Sequence, residues 1–221
     1  MDCCGDRGRD MDTAVGLVEA YLRVNGYFTV TEYPVVETRR YGDYRTATDL
    51  DVLAFRFPGA GRLAPFQTGK TVGEAGIPAF APDPHLGGVS DQADMLIGEV
   101  KEGRAELNSA ARDPVVLRAV LSRFGCCSPE HVPGVVQALL RHGRTLTHCG
   151  HLVRLVAFGS LPPAANGGKY AVISLGHVHE FLEAYVREHW DVLCHAQFKD
   201  PAFGFEVLLE KMRRGSHASL A

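Results

Sequence analysis

The residues of this chain best suited to chemistry lie in two short stretches, 48–56 (TDLDVLAFR) and 94–101 (DMLIGEVK), the second running on into Glu102 and Gly103. Each reads as a strand that is apolar along most of its length and charged at one end. Alternate residues of a strand share a face. The first stretch therefore sets Leu50, Val52 and Ala54 on one side and Asp49, Asp51, Leu53 and Phe55 on the other. The second sets Met95, Ile97, Glu99 and Lys101 against Leu96 and Val100. If the strands pair with their charged ends together, Asp51, Glu99 and Lys101 converge. Two carboxylates and an ammonium held against apolar walls suit a divalent cation and a phosphate, and such sites hydrolyse phosphodiesters. The plainer alternative is a pair of solvated strand ends with a cross-strand Glu–Lys contact. Against it, half-apolar faces make these charges costly to desolvate without a partner or a metal.

The elements that must position these residues follow from periodicity and capping. An apolar stripe of Val15, Val18 and Leu22 predicts a helix over 12–25, capped by Asp12 or Thr13 and ended by Gly26. Residues 27–37 read as a strand rich in aromatic and β-branched residues, with Pro34 implying an edge position or a bulge. After the second acidic strand, helices are expected from Ala105, over 114–124 and over 129–142. Strands at 151–158 and 170–175 and helices at 177–193 and 202–213 close the chain. This order suits an α/β sandwich, a central mixed sheet flanked by helices, built as one domain over 1–221 with a helical C-terminal extension. Residues 58–92 are rich in Gly and Pro and fit no element. So long a connection is either a surface insertion or a lid over the active end, with Arg62, Gln67 and Lys70 as backbone contacts, and its anchoring decides which.

An acidic residue at the end of one strand, followed on the next by Glu-x-Lys between apolar residues, resembles the PD-(D/E)xK nuclease superfamily, which has the restriction-endonuclease-like fold. Here the pattern is Asp51, then Glu99-Val100-Lys101. The flanking text AYLRVNGYFTV, RTATDLDVLAFRFP and GEVKEGRAELN also resembles uncharacterised bacterial nuclease-like proteins, over roughly the first half of the chain. Leu50 stands where the motif's name has proline. The resemblance implies Mg²⁺ or Mn²⁺ held by Asp51, Glu99 and the carbonyl of Val100. Lys101 would orient or deprotonate the attacking water or act electrostatically. It also implies a catalytic role for Glu19 in the first helix. Asp49 is either a further metal ligand or a solvated strand end, and Asn108 either helps hold the site or a phosphate or starts a helix. Arg39, Arg40 and Arg45 flank a turn beside the acidic strand and either bind phosphates of a substrate or balance Glu37, Asp43 and Asp49.

The expectation is thus a metal-dependent nuclease that cleaves nucleic acid, DNA before RNA, in defence or repair. The alternative is a non-enzymatic binding or regulatory subunit that keeps the fold and needs a partner. Lys plus Arg number 23 against 26 Asp plus Glu, a net charge of −3, which argues against a general polyanion-coating protein. The start has no apolar leader core, and no run approaches the roughly 18 apolar residues of a membrane span. A cytoplasmic location with no membrane contact is expected. Six cysteines at 3, 4, 126, 127, 149 and 194 lack CxxC spacing and read as reduced thiols. The stretch His148-Cys149-Gly150-His151 offers metal-ligand types without a second cluster and reads as a turn into a strand. Phe181, Leu182, Tyr185 and Trp190 offer apolar faces either to a homodimer or to the interior of the monomer.

Overall fold

The computed structural model describes residues 12–38, 44–60, 66–68, 71–73, 83–88, 91–164, 169–195 and 197–218. Arg39 and Arg40, with Arg62 and Lys70, lie outside the described residues. Helix α1 (Thr13–Val24) begins at Asp12, whose carboxylate accepts from the backbone N–H groups of Ala14 at 2.9 Å and Val15 at 3.4 Å. These are donors that the first turn of a helix leaves orphaned. Gly26, at φ 85°, turns the chain out of the helix.

Three long strands follow: β1 (Phe28–Thr38), β2 (Tyr44–Arg56) and, after the short hairpin β3 (Phe66–Thr68) and β4 (Thr71–Gly73), β5 (Asp94–Arg104). Then come α2 (Pro114–Phe124), α3 (Val132–His142), β6 (Arg144–Leu146), β7 (Leu152–Leu161), β8 (Ala171–Ser174), α4 (Leu175–Glu188), the single turn α5 (Trp190–Leu193) and α6 (Pro201–Ala218). The main sheet runs β1-β2-β5-β7-β6, with β8 also on β7. The β1/β2 and β2/β5 pairs are antiparallel, while β5/β7 and β7/β8 are parallel. One face carries a core of Val15, Val18, Leu22, Val52, Ala54, Leu96 and Phe158 under α1, α4 and α6. The other carries Leu53, Met95, Ile97, Leu117, Leu121 and Leu139 under α2 and α3. The expected α/β architecture, a mixed sheet flanked by helices, is therefore present. No helix among the described residues is long and apolar enough to cross a membrane.

Several local expectations change. Pro34 sits on the edge strand β1, whose register also slips between Val35 and Val36, so edge and bulge both occur. No helix starts at Ala105: the chain stays non-helical to a short 3₁₀ turn at Ala110–Arg112, and α2 begins at Pro114 behind the Asp113 cap. Strand β6 is too short to show a period in sequence. Leu50 packs in the α2/α3 core with Leu53 rather than with Val52 and Ala54. Strict alternation breaks at Asp51, opposite Glu32, whose φ of 49° is left-handed backbone in a non-glycine residue. Leu182 is fully buried, and Phe181, Tyr185 and Trp190, partly buried, pack against the α1 core.

Candidate active site

Antiparallel pairing of β2 with β5 sets Val52 opposite Gly98 and runs from there back to Arg56 opposite Asp94. One residue beyond Val52, Asp51 breaks the backbone ladder: its Oδ2 accepts the Val100 N–H at 2.7 Å. Glu99, between Gly98 and Val100, is only 1 % exposed although it is a carboxylate. Its Oε1 accepts from Lys101 Nζ at 2.7 Å and from Asn108 Nδ2 at 2.6 Å. Its Oε2 is buried and has no partner.

Two glycines make this packing possible. A Cβ on Gly98 would lie 2.5 Å from Val52 Cγ1, and one on Gly159 would lie 2.5 Å from the Ala105 backbone nitrogen. The close approach at Gly159 lets the Ala105 N–H bond the Leu161 carbonyl at 2.9 Å, which holds the end of β5 against β7. Asn108 is thereby delivered to Glu99, while its own Oδ1 accepts the Ala111 N–H at 2.6 Å. Asn108 thus holds the Glu99 carboxylate from one side and the 3₁₀ turn, whose cap position is Ser109, from the other.

Burial pushes the carboxyl of Asp51 up, with Asp12 and Glu32 adding to the effect against the Val100 N–H and Lys101. Burial likewise pushes Glu99 up, reinforced by Asp51 and opposed by Lys101 and Asn108. Asp51 raises Glu99 because a nearby carboxylate disfavours charge on its neighbour. Asp12 and Glu32 are charges that motif reading passed over. Their only sequence signal is chemical type, since neither lies within ten residues of Asp51.

The other candidates lie elsewhere. Glu19 accepts from Arg23 at 2.7 Å and Thr29 at 2.9 Å, and Arg23 goes on to Asp200 at 2.8 Å, so the helix carboxylate expected at the site belongs to a surface network. It is held there against β1, where Thr29 pairs with Ala54, three residues along β2 from Asp51. Arg45 is exposed and ion-paired with Glu37 across the β1/β2 hairpin, which matches the charge-balancing alternative. Asp49 is exposed and pairs with Pro34 in that ladder. His148 contacts the Cys149 thiol at 3.2 Å and stacks on His131 with ring centroids 4.0 Å apart.

The opposite end of β5 holds a second polar centre. Asp94 is fully buried and accepts from Arg154 Nε at 3.0 Å, Arg154 Nη2 at 2.7 Å and Tyr27 Oη at 2.6 Å. Arg154 Nη1 also bonds the Leu86 carbonyl, anchoring the 3₁₀ turn Pro84–Leu86 here. The described end of the 58–92 insertion is therefore fixed at Asp94, roughly 17 Å of strand from Glu99, which opposes the lid reading for that part. Beside it, Asp83, His85 and His177 bring three potential ligand atoms within 4.8 Å of one another, a grouping able to hold a metal ion. Sequence reading missed it because 92 residues separate His85 from His177.

No family model, curated protein or solved structure matches this chain.

Proposed function

We propose that Asp51, Glu99 and Lys101 form a metal-dependent phosphodiester-cleaving site that acts on nucleic acid, with DNA preferred over RNA. The observation that carries this reading is Glu99 Oε2, a carboxylate oxygen buried without a partner beside a second desolvated carboxylate. A buried, half-satisfied carboxylate costs stability unless something completes its shell. A hard divalent cation such as Mg²⁺ or Mn²⁺ fits that donor set, since it takes carboxylate, carbonyl and water oxygens. Asp51, Glu99 and the Val100 carbonyl would hold it, and bound there it would polarise the phosphate and lower the pKa of a water.

The chain's own groups supply the rest. Asn108 fixes the Glu99 carboxylate through Oε1 and leaves Oε2 as the oxygen that would take an ion. Lys101 is 40 % exposed and lies against Glu99, where its ammonium offsets charge developing on the attacked phosphate. The leading resemblance, Asp then Glu-x-Lys on adjacent strands, agrees with this division of roles, and an α/β sandwich around a mixed sheet is the architecture it implies.

The test is incubation of the protein with labelled single- and double-stranded DNA and RNA in Mg²⁺, Mn²⁺ or EDTA, with Glu99→Ala alongside. Cleavage that needs the metal and vanishes in the variant is expected. Metal-dependent cleavage retained by Glu99→Ala would show the site to be misassigned. Absence of cleavage in every lane would favour a non-enzymatic binding subunit.

A further inference from the structure

We propose that Asp83, His85 and His177 bind a zinc-class transition-metal ion, and that the adjoining cationic pocket takes an anionic ligand of the phosphate type beside it. This site is separate from Asp51 and Glu99 and does not depend on the nuclease reading. Two imidazoles and one carboxylate are the donor types that Zn²⁺ accepts, and three protein ligands with an open fourth position is the pattern of a reactive rather than a purely structural zinc. A hard ion such as Mg²⁺ prefers an all-oxygen shell and is disfavoured by two nitrogens.

The distances are close to what a tetrahedral ion needs. Bonds of about 2.0–2.1 Å place ligand atoms about 3.3 Å apart. Asp83 Oδ1 and His85 Nδ1 are 3.3 Å apart, His177 Nε2 lies 2.5 Å from the other carboxylate oxygen, Oδ2, and one ligand atom from each residue falls within 4.8 Å of the others. His85 and His177 rings lie 4.2 Å apart, tilted by 50°. Side-chain exposure grades from 2 % at Asp83 through 26 % at His177 to 72 % at His85, so the cluster is closed behind the carboxylate and open on the His85 side.

The surroundings hold the carboxylate in a single pose. Tyr21 Oη donates to Asp83 Oδ2 at 2.6 Å, the Asp83 N–H bonds Asn25 Oδ1 at 2.6 Å, and the His85 N–H bonds Asp83 Oδ1 at 2.9 Å. Burial works against the charged form of Asp83, but the bonds from Tyr21, His177 and the His85 backbone outweigh it and keep the carboxyl below its ordinary range. The His177 N–H is fixed by the Ser174 Oγ cap of α4 at 3.0 Å. Such outer partners orient metal ligands and are worth about 10–100-fold in affinity.

His85 also lines a pocket of about 370 Å³ with His142, Arg144, Lys169 and the inner face of Arg154. Among the described residues, no carboxylate lines this pocket, and neither Arg144 nor Lys169 enters an ion pair. A metal's open position beside clustered cationic side chains selects an anion able to bridge the two.

The experiment is Zn²⁺ titration by calorimetry, together with the visible spectrum of the Co²⁺-substituted protein, on the wild type and on His85→Ala, His177→Ala, Tyr21→Phe and Glu99→Ala. Because His85 is exposed, its replacement leaves folding intact and isolates the ligand effect. We expect one Zn²⁺ per chain and the intense bands of four-coordinate Co²⁺. His85→Ala and His177→Ala should weaken binding by more than about 100-fold, and Tyr21→Phe by about 10-fold or more. Glu99→Ala should leave binding unchanged. No binding to the wild type would overturn the proposal and leave a hydrogen-bonded His–Asp–His cluster. Binding that survives His85→Ala, or that is lost only in Glu99→Ala, would equally overturn it. Inorganic phosphate should tighten Zn²⁺ binding in the wild type and not in Lys169→Ala; an equal effect in both would remove the pocket from the assignment.

Discussion

The two ends of β5 each bury a carboxylate, Asp94 at one and Glu99 at the other, and the two differ in how completely the fold satisfies them. Asp94 receives a two-pronged guanidinium from Arg154 and a phenol from Tyr27, with Arg56 3.9 Å away and lying over the Tyr27 ring. Glu99 has one oxygen doubly held and the other without a partner. A buried charge with both oxygens hydrogen-bonded ties strands and a turn together. One left incomplete holds free energy that a ligand can release. Burial alone therefore does not separate structural from functional carboxylates, whereas the tally of their partners does.

The contrast can be broken most sharply at Asp94. Asp94→Ala leaves Arg154 buried without its counter-ion and should destabilise the fold by about 3–5 kcal/mol, measured by urea unfolding. A variant as stable as the wild type would end the claim that this end is structural. Asn108→Ala should cost less, about 1.5–3 kcal/mol, because it removes one hydrogen bond to a charged group. It should also push the Glu99 carboxyl further up, which an NMR titration of the side chain would follow.

Glu99→Gln tests the other side of the comparison and should change stability at neutral pH by no more than about 1 kcal/mol, while abolishing metal-dependent cleavage. Its signature is in the pH profile. Because burial holds Glu99 above the ordinary carboxylate range, the folded chain keeps that proton to higher pH than the unfolded chain does. Stability therefore falls as pH rises from the ordinary carboxylate pKa to the raised one, and Glu99→Gln should flatten that slope. Asp83 has the opposite sign: its carboxyl is lowered, so its contribution is present above the ordinary pKa and is lost on acidification. Mg²⁺ or Mn²⁺ should restore stability to the wild type and leave Glu99→Gln unmoved in thermal unfolding.

The smallest effect is expected at Glu32. Glu32→Gly relieves a left-handed backbone opposite Asp51 and should stabilise by about 1 kcal/mol. It also removes one of the charges that raise Asp51, so that carboxyl should titrate lower in the variant. Unchanged titration would place Glu32 too far away to act.

Local chemistry determined much of this protein from the sequence alone. The Asp12 cap and Gly26 bracket α1, apolar runs with a charged end mark β2 and β5, and Pro34 marks an edge, because capping, left-handed turns and strand chemistry act within a few residues. The grouping of Asp51, Glu99 and Lys101 was legible for the same reason, once the two strands were taken to pair at their charged ends. Tertiary structure decided the remainder. The break in alternation at Asp51 sends Leu50 to the opposite core, the chain after β5 brings Asn108 to Glu99, and Arg23 and Thr29 take up Glu19. The parallel register that sets Asp94 beside Leu152 puts Arg154 within reach, and α4 carries His177 to Asp83 across 94 residues. Such contacts depend on packing and strand order, which no window of sequence contains.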